Sequence, residues 1–336
     1  MKDLYVISGV TGMTGNELAR QILKKGDAVI GFDNFFASSV KTIEDIINDS
    51  NLEFFEGDIN DKNFMYLLKD AVRKKKDSSK RIIYINCAAV VHTEHFYHID
   101  ATFQTNVTGM KSFLEQAVQM EAEIFINCST SEVYSMQSWK EGGVCEDDYL
   151  LLATAEHSQR TSYAAGKLLT EFFMKDAVEN GQIKGCSLRF ANVYSNNELY
   201  PKHILPHIIT SLIKEKKVVL LENSKINKRT FLHNYDSCAA VLAVIESTNP
   251  NVLDGSVYNV ATEEEVSILD LVDKCANCLG LDNYEIEFEG YRSADPERRV
   301  LSARKIMERT GWKPEISLDE GIAMCVDYHK QIVPEG

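Results

Sequence analysis

The sequence predicts an α/β protein with a doubly wound parallel sheet and a smaller, discontinuous C-terminal α/β lobe. Two observations lead to this fold class. Through residues 1–194, short apolar runs alternate with segments of helical period, the pattern of parallel strands whose connecting helices cover both faces of a sheet. After residue 195 the alternation gives way to shorter pieces interrupted by Pro201 and Pro206.

The strand-like runs of the first half are short, apolar and followed by helical patterns. The predicted strands are LYVISG (4–9), AVIGFD (28–33), NLEFFEGDI (51–59), RIIYINCAA (81–89), EIFINCS (123–129) and GCSLRFANVY (185–194). The predicted helices are NELARQILKKG (16–26), NFMYLLKDAVRKKK (63–76), NVTGMKSFLEQAVQM (106–120) and YAAGKLLTEFFMKDAVENG (163–181).

The second half contains short strand-like pieces, VVLLE, RTFLHNYD and SVYNVA, between helical segments. Because no clean linker separates the halves, we expect two lobes that share an interface with a cleft between them. The predicted larger domain comprises residues 1–190 with about 228–261, and the predicted smaller lobe comprises 191–227 and 262–336.

Composition and charge narrow the function classes. The formal net charge of −14 provides no basic footprint for nucleic acid, although a few local arginines could hold an anionic small substrate. No run of 18 apolar residues predicts a membrane span, and the N-terminus enters a strand without a signal-peptide pattern. We therefore expect a cytoplasmic protein.

The eight cysteines are scattered, which is typical of reduced, packed thiols in a chain of this size. CANC (275–278) is a lone CxxC in a helical pattern. A zinc site would need a second pair or histidines at ligand spacing, so we predict no metal site.

A glycine-rich loop, SGVTGMTG (8–15), lies between the first strand and the first helix. Gly9, Gly12 and Gly15 have GxxGxxG spacing, with Thr11 and Met13 between them. Glycines at such a place allow a tight turn, close approach of backbone N–H groups to a pyrophosphate, and packing of helix on strand. A purely structural glycine turn would look similar, so the context decides.

The context is an acidic residue at the end of the second strand, where Asp33 precedes Asn34. A carboxylate there can accept both hydroxyls of an adenine ribose, and no arginine follows directly to hold a 2′-phosphate. The sequence therefore predicts a Rossmann-type domain that binds NAD rather than NADP.

Tyr163 and Lys167 are four residues apart and share one face of a predicted helix. The alternative interpretation is a pair of ordinary surface side chains. Beside a dinucleotide site, however, a lysine ammonium is expected to lower the pKa of the phenol. The tyrosinate would then take a hydroxyl proton while hydride leaves the same carbon.

Together these motifs resemble the extended short-chain dehydrogenase/reductases of the nucleotide-sugar epimerase/dehydratase family. The resemblance runs nearly end to end. Besides the features above it includes GDI (57–59), NCAA (86–89), NVTGM (106–110), CSTSEVYS (128–135), LRFANVY (188–194), KRTFLHNYD (228–236), SVYNVATEEEVSILDL (256–271), RSADPERR (292–299) and TGWKPEISLDEGI (310–322). It implies a Rossmann domain, bound NAD, a nucleoside-diphosphate-sugar substrate and a homodimer formed through two long helices per subunit.

The resemblance also assigns cofactor-binding residues outside the glycine loop. Asp58 would bind the adenine, with Ile59 beside it. Ala88 and Ala89 would belong to a turn that lines the cofactor, and Asn106 is a further family position. Tyr163 and Lys167 would serve both cofactor and catalysis.

In the family, Thr130 would hydrogen-bond the sugar 4-hydroxyl, and a carboxylate at the position of Glu132 is similar to dehydratases and decarboxylases. Oxidation at C4 acidifies the C5 proton, which Glu132 could remove. The C6 hydroxyl could then leave, and hydride returned to C6 would give a 4-keto-6-deoxy sugar. Hexose dehydratases of this kind place an aspartate where this chain has Ser131, our third candidate catalytic residue in this stretch.

The resemblance therefore leaves several reactions open. We expect an NDP-hexose 4,6-dehydratase, with UDP-glucuronate decarboxylase, 4- or 5-epimerase and 5,6-dehydratase as alternatives. A silent NAD-binding regulator is the alternative outside enzymes. Glu132 could also simply cap a helix or face water. Ser135 stands where the family usually has glycine, and the insert at 136–160 is long and irregular.

Besides Thr130, three residues are expected to hold the substrate. Asn192 resembles an asparagine that contacts the diphosphate, and Arg229 and Arg292 resemble arginines that clamp it, because a guanidinium fork suits two phosphate oxygens. Arg298 and Arg299 are reserve candidates. PKHILPHIIT (201–210) should pack near the base.

Overall fold

A computed structural model describes residues 1–91, 98–136, 140–158, 161–198, 200–293 and 295–334. Residues 137–139 and 159–160 of the irregular insert lie outside the described residues, as does residue 294 of the RSADPERR motif.

The described strands form one large sheet and three small ones. In chain order they are β1 (Lys2–Ser8), β2 (Ala28–Asp33), β3 (Leu52–Glu56), β4 (Ser79–Asn86), β5 (Ile124–Thr130), β6 (Lys184–Phe190), β7 (Val193–Tyr194), β8 (Lys217–Leu220), β9 (Lys228–Thr230), β10 (Leu232–His233), β11 (Asp254–Val260), β12 (Glu265–Ser267), β13 (Glu285–Phe288) and β14 (Arg298–Arg299). The seven-stranded sheet has the order β11-β6-β5-β4-β1-β2-β3, and all of its pairs are parallel. The predicted fold class is confirmed.

The described helices are α1 (Met13–Lys24), α2 (Lys62–Lys76), α3 (Ile99–Phe103), α4 (Met110–Gln119), α5 (Thr161–Glu179), α6 (Ile204–Glu215), α7 (Asn234–Glu246), α8 (Ile268–Leu279), α9 (Arg304–Thr310) and α10 (Leu318–Ile332). One apolar cluster joins α1 and α7 to one face of the large sheet, and a second joins α2, α4 and α5 to the other. A third cluster, among α6, α8 and α10, builds a separate core. Among the described residues no helix combines the length and apolar character needed to cross a membrane.

The sheet order places the glycine loop at a topological switch point. β1 has β2 on one side and β4 on the other, so the loops after β1 and β4 diverge there. Ligands of open α/β sheets bind in such crevices, at the carboxyl ends of the strands. The fold therefore brings the loop after β1, the turn after β4 and the end of β5 to one edge.

Local assignments differ from the sequence prediction in four places. α1 begins at Met13, so Gly15 lies inside the helix rather than before it. The segment 104–109 forms a π-helical turn between α3 and α4. Residues 234–236 of RTFLHNYD begin α7 instead of continuing a strand, because His233 caps that helix through its side chain. GCSLRFANVY, predicted as one strand, divides into β6 and the short β7.

The predicted segment 228–261 divides among three sheets, because β10 pairs with β7 in a two-stranded sheet of its own. α7 and β11 pack on or join the large sheet, whereas β9 pairs with β12 and β14 in a three-stranded sheet. β8 and β13 pair separately. The domain boundaries therefore stay a prediction.

Candidate active site

The glycine loop makes a turn that only small residues permit. Gly9 has φ +70°, and a Cβ there would lie 2.8 Å from the backbone nitrogen of Ala88. A Cβ on Gly15 would lie 2.1 Å from the carbonyl oxygen of Gly9. Gly12 is the N-cap of α1, and no side chain of the described residues caps this end. The loop therefore presents backbone N–H groups at a helix N-terminus, a favourable site for a pyrophosphate.

Asp33 lies at the end of β2 and is 9% exposed. Its carboxylate accepts hydrogen bonds from Thr11 N at 3.2 Å and Phe35 N at 2.9 Å. Phe35 has φ +58°, so the chain turns sharply directly after the acid. These bonds fix the carboxylate beside the glycine loop, where the sequence places the ribose.

The other predicted cofactor residues surround the same edge. Asn34 Nδ2 donates to Asp58 at 2.8 Å, which links the turns after β2 and β3. Ile59 is buried, and Ala88 N donates to Ser8 Oγ at 3.2 Å. Ala89 and Met13 are half-buried at this edge.

Asn106 is buried in the π-helical turn and uses its amide to hold the loop after β4. Its Oδ1 accepts from Val90 N at 2.6 Å, and its Nδ2 donates to Val90 O at 3.2 Å. These two bonds show that Asn106 positions the loop after β4, and its predicted role in cofactor binding stays a prediction.

The predicted catalytic side chains converge where β5 ends and α5 begins. β5 extends through Thr130, and a short 3₁₀ turn, Ser131–Tyr134, follows it. Tyr163 and Lys167 on α5 are 6% and 2% exposed. Burial raises the pKa of Tyr163 above its ordinary value, a hydrogen bond with Thr130 opposes that rise, and the charge of Glu132 adds to it.

The expected lowering of the Tyr163 pKa is wrong for this structure. Burial of the phenol is the largest influence on its pKa, and the net shift is upward. Lys167 is itself buried, which lowers the pKa of its ammonium. The physical reason is that desolvation penalises both charged forms, tyrosinate and ammonium, more than sequence spacing alone reveals.

Glu132 forms an ion pair that the sequence did not predict. Its Oε1 is 2.6 Å from Arg299 Nη1, and the two side chains are 22% and 8% exposed. Arg299, only a reserve candidate, reaches this place because β14 pairs with β9 and sets Arg299 beside Arg229. No local pattern in the sequence signals that Arg299 pairs with Arg229, which lies 70 positions earlier in the chain.

Ser131 and Ser135 differ in what they contribute. Ser131 is 3% exposed. Among the described residues, a cavity is lined by Thr130, Glu132 and Tyr163 but not by Ser131. Ser135 has φ +39°, a conformation that favours glycine. Ser135 is therefore a point of backbone strain directly after the 3₁₀ turn Ser131–Tyr134.

A buried polar network, which the sequence analysis did not predict, supports the 3₁₀ turn Ser131–Tyr134 from both sides. Ser129 Oγ donates to Glu171 at 2.6 Å, and Glu171 is clamped by Arg189 through bonds of 3.0 and 2.7 Å. Arg189 also donates to Tyr134 Oη at 2.8 Å, which donates to Asn259 at 2.7 Å. The network holds the residues before and after the Thr130–Glu132 segment.

A cavity of about 740 Å³ opens beside these side chains. Thr130, Glu132 and Tyr163 form one wall of it. The opposite walls come from β8, α6 and the segment around Arg292. Such a volume is typical of a small-molecule site.

The predicted substrate residues all line this cavity. Asn192 has φ +43°, and its Nδ2 is buried with no hydrogen-bond partner among the described residues. Arg229 Nη2 is 3.0 Å from Asp295, while the backbone of Arg292 is held by Asn223 through bonds of 2.8 and 3.0 Å. Burial lowers the pKa of Arg229. The cavity thus combines arginines with an unsatisfied amide, and both Arg229 and Arg299 are paired with carboxylates of the cavity wall.

Comparisons with known proteins agree with this geometry. A family model described as GDP-mannose 4,6 dehydratase matches residues 6–325. The chain is 27% identical to dTDP-D-glucose 4,6-dehydratase of Mus musculus over 304 residues, which cover 88% of this chain and 79% of the relative. It is 26% identical to the low-salt glycan biosynthesis protein Agl12 of Haloferax volcanii over 327 residues, which cover 96% and 97% of the two chains.

Among solved structures, DesIV, a dTDP-glucose 4,6-dehydratase from Streptomyces venezuelae solved with NAD bound, superposes with a TM-score of 0.83 at 22% identity. The superposition covers 98% of this chain and 97% of DesIV, and it shows the shared fold. The family model spans nearly the whole sequence, including every motif that carries the candidate site. The chain therefore belongs to the GDP-mannose 4,6 dehydratase family, within the extended short-chain dehydrogenase/reductases that act on nucleotide sugars.

Proposed function

We propose that this protein is an NAD-dependent nucleotide-sugar 4,6-dehydratase that oxidises its substrate at C4 and removes the C5 proton with Glu132. One observation carries the proposal. The Glu132 carboxylate lines the cavity together with Thr130 and Tyr163, close enough for its charge to act on the phenol. A simple 4-epimerase needs no carboxylate here, because a 4-keto intermediate has only to rotate and be reduced from its other face.

The edge of the large sheet fits a dinucleotide. Gly9 and Gly15 leave no room for a Cβ, and the N-terminus of α1 has no side-chain cap among the described residues. Asp33 is held where it can accept ribose hydroxyls. Bound NAD would supply the hydride acceptor for C4 and the hydride donor for C6.

Tyr163 is the proposed base for the 4-hydroxyl proton, and Thr130 is its partner. The hydrogen bond with Thr130 favours the tyrosinate and partly offsets the effect of burial. Lys167, four residues along the same helix, is buried, and it is the proposed cationic partner of this pair. These three residues would perform the step common to all the enzymes considered, which is oxidation at C4.

Glu132 is the proposed base for the C5 proton. Its ion pair with Arg299 means that it begins as a carboxylate, the form that can accept a proton. The 4-keto group acidifies C5, so a carboxylate in the same cavity can generate the enolate from which the C6 hydroxyl leaves. Asn192, Arg229 and Arg292 are the proposed diphosphate-binding residues.

One observation favours a second candidate, a UDP-glucuronate decarboxylase. Arg299 Nε is buried without a hydrogen-bond partner among the described residues, while Nη1 of the same guanidinium binds Glu132. A guanidinium with an unsatisfied N–H could bind a C6 carboxylate. In that reaction the C5–C6 bond would break after C4 oxidation.

One experiment separates these functions. Purified protein with NAD would be incubated in deuterated water with UDP-, GDP-, dTDP- and CDP-hexoses and with UDP-glucuronate, and products would be analysed by mass spectrometry and NMR. A dehydratase loses water and gains deuterium at C5, whereas a decarboxylase loses CO₂. A 4-epimerase changes neither mass nor deuterium content. If all substrates were recovered unchanged, the proposed catalysis would be wrong.

We also propose that the protein is a homodimer formed by the face that α3 and α5 share. This face exposes Ile99, Phe103, Leu169 and Phe172, with exposed fractions of 53%, 50%, 41% and 64%. Sedimentation velocity of Phe172→Glu should show monomers, whereas Tyr149→Glu, at a 94% exposed aromatic residue of the insert, should stay dimeric. A wild-type protein that sediments as a monomer would contradict this.

Two further expectations remain proposals. All eight cysteines are free, which fits a reducing compartment such as the cytoplasm. The larger predicted domain would bind NAD and the smaller lobe would bind the nucleotide sugar.

A further inference from the structure

Two free thiols lie side by side at the edge of the sheet that carries the candidate site. Cys87 directly follows β4, and Cys128 lies in β5, two residues before Thr130. The pairing of β4 with β5 matches Asn86 with Asn127, so the two cysteines are the next positions in the same register. Their Sγ atoms are 3.7 Å apart, and both residues are half-buried and unbridged.

The position of this thiol pair is compatible with a disulfide. Neighbouring parallel strands lie about 4.8 Å apart, within the range of Cα separations that disulfides span, about 4.4–6.8 Å. The two thiols already contact each other, so no other residue has to move out of the way. Formation of the bond requires the sulfurs to approach further, which draws the turn after β4 toward β5.

A cation lies close to the two thiols. The hydrogen bond between them, together with burial, raises the pKa of Cys87. The Lys167 ammonium is close enough for its charge to act on Cys87, and both cysteines act in turn on Lys167. A nearby cation stabilises a thiolate, which is the form of cysteine that attacks an oxidant.

The turn that contains Cys87 also packs against the glycine loop. A Cβ on Gly9 would lie 2.9 Å from the carbonyl carbon of Cys87, so the two backbones are in close contact. Cys87 N donates to Ser8 O and Ala88 N donates to Ser8 Oγ, both at 3.2 Å. A displacement of Cys87 is therefore transmitted to the loop that would hold the pyrophosphate.

We propose that Cys87 and Cys128 form a redox modification site, in which a peroxide converts the two thiols to a disulfide and thereby weakens dinucleotide binding. The thiolate of one cysteine attacks one peroxide oxygen, which gives a sulfenic acid and one water after protonation. The thiol of the other cysteine then attacks the sulfenic sulfur and releases a second water. Two electrons pass from the thiols to the O–O bond, and a dithiol reductant reverses the change.

Peptide mapping tests the bond itself, independently of enzyme activity. The full-length protein would be treated with hydrogen peroxide, alkylated and digested with trypsin without reduction. Lys111 separates the two cysteines, so residues 82–111 and 112–140 each carry one of them. We expect these two peptides to be linked, with the mass of two hydrogens lost. Their recovery as separate alkylated peptides, or a link from either one to the peptide of Cys238, would refute the assignment.

Binding measurements test the consequence, which rests on the proposed NAD binding. NAD affinity of the oxidised protein should fall by about tenfold or more and return with dithiothreitol. Cys128→Ala should bind NAD equally well before and after peroxide. Cys145→Ser, which changes a half-buried thiol that donates to Gly143 O, should respond like wild type.

The outcomes are distinguishable. If the disulfide forms but NAD affinity does not change, the redox control is refuted while the proposed function stands. If the reduced protein does not bind NAD at all, the proposed function fails, and the mapping alone then decides whether the thiol pair is oxidised as proposed.

Discussion

The cofactor edge and the sugar cavity are built in different ways. At the cofactor edge, the Asp33 carboxylate is already held by hydrogen bonds from Thr11 N and Phe35 N. In the cavity, Asn192 Nδ2 and Arg299 Nε are buried without partners among the described residues. Unsatisfied buried donors are costly, which is the state expected of a site completed by its ligand.

This difference indicates which region determines cofactor affinity and which determines the reaction. The cofactor edge comes from contiguous stretches of chain, and its geometry follows from glycine conformation. The cavity comes from residues far apart in sequence, such as Glu132 and Arg299, and its reaction depends on side chains. Changes at the edge should therefore alter NAD affinity, and changes at the cavity should alter the reaction.

The strongest test of that separation is Glu132→Gln. We expect kcat to fall by about 10²–10⁴-fold, because the C5 base is lost while the amide keeps a similar shape. C4 oxidation should survive, so NADH absorbance should build up without deuterium entering C5. Stopped-flow absorbance and NMR measure the two steps. Unchanged turnover in Glu132→Gln would remove the proposed base.

A second test concerns the network behind the cavity. Arg189→Met leaves the Glu171 carboxylate buried without its partner and should lower the free energy of unfolding by about 3–5 kcal/mol. Replacing both residues, as Arg189→Met with Glu171→Leu, should recover much of that loss. Urea denaturation measures both variants. If the single variant is as stable as wild type, the network does not support the 3₁₀ turn Ser131–Tyr134.

A third test addresses the cofactor edge. Gly15→Ala places a methyl group where only 2.1 Å separates it from Gly9 O, so the loop must shift, at a cost of about 1–3 kcal/mol. NAD affinity, measured by calorimetry, should fall accordingly. Gly26→Ala, beyond the other end of α1 with φ +85° and open space, should reduce stability but leave NAD affinity unchanged. Equal NAD affinity in both variants would contradict the model of the edge.

A fourth test uses pH. The hydrogen bond with Thr130 lowers the pKa of Tyr163 against the effect of burial, so its removal in Thr130→Val should raise that pKa further. If the tyrosinate is the active form, as proposed, the rise of kcat/KM with pH should move to higher pH. Thr130→Ser, which keeps the hydroxyl, should restore the wild-type profile. A profile in Thr130→Val that stays in place, or moves to lower pH, would exclude the proposed role.

The smallest effect is expected at Ser135. Its φ of +39° is strained for a residue with a Cβ, so Ser135→Gly should raise the free energy of unfolding by about 1 kcal/mol. Urea denaturation can resolve this difference. A loss of stability would show that the serine hydroxyl matters more than the backbone strain.

The difference between the cofactor edge and the sugar cavity also explains which features could be predicted from the sequence. The alternating strands, the glycine loop and Asp33 are local patterns, and the structure shows them where the sequence placed them. The pairing of Glu132 with Arg299 depends on β14 lying beside β9, a non-local contact that no spacing rule reports. The predicted lowering of the Tyr163 pKa is wrong because burial outweighs the other influences. The spacing of Tyr163 and Lys167 does not reveal that burial.

The network of Glu171, Arg189 and Tyr134 has a consequence for protein engineering. It holds the chain at Ser129 and Tyr134, so the four residues between them, Thr130 to Val133, form a replaceable segment on a fixed support. Exchange of Ser131 for aspartate, or of Glu132 for a neutral residue, can then be judged by product alone. The scaffold offers a place to convert one sugar-modifying activity into another with few substitutions.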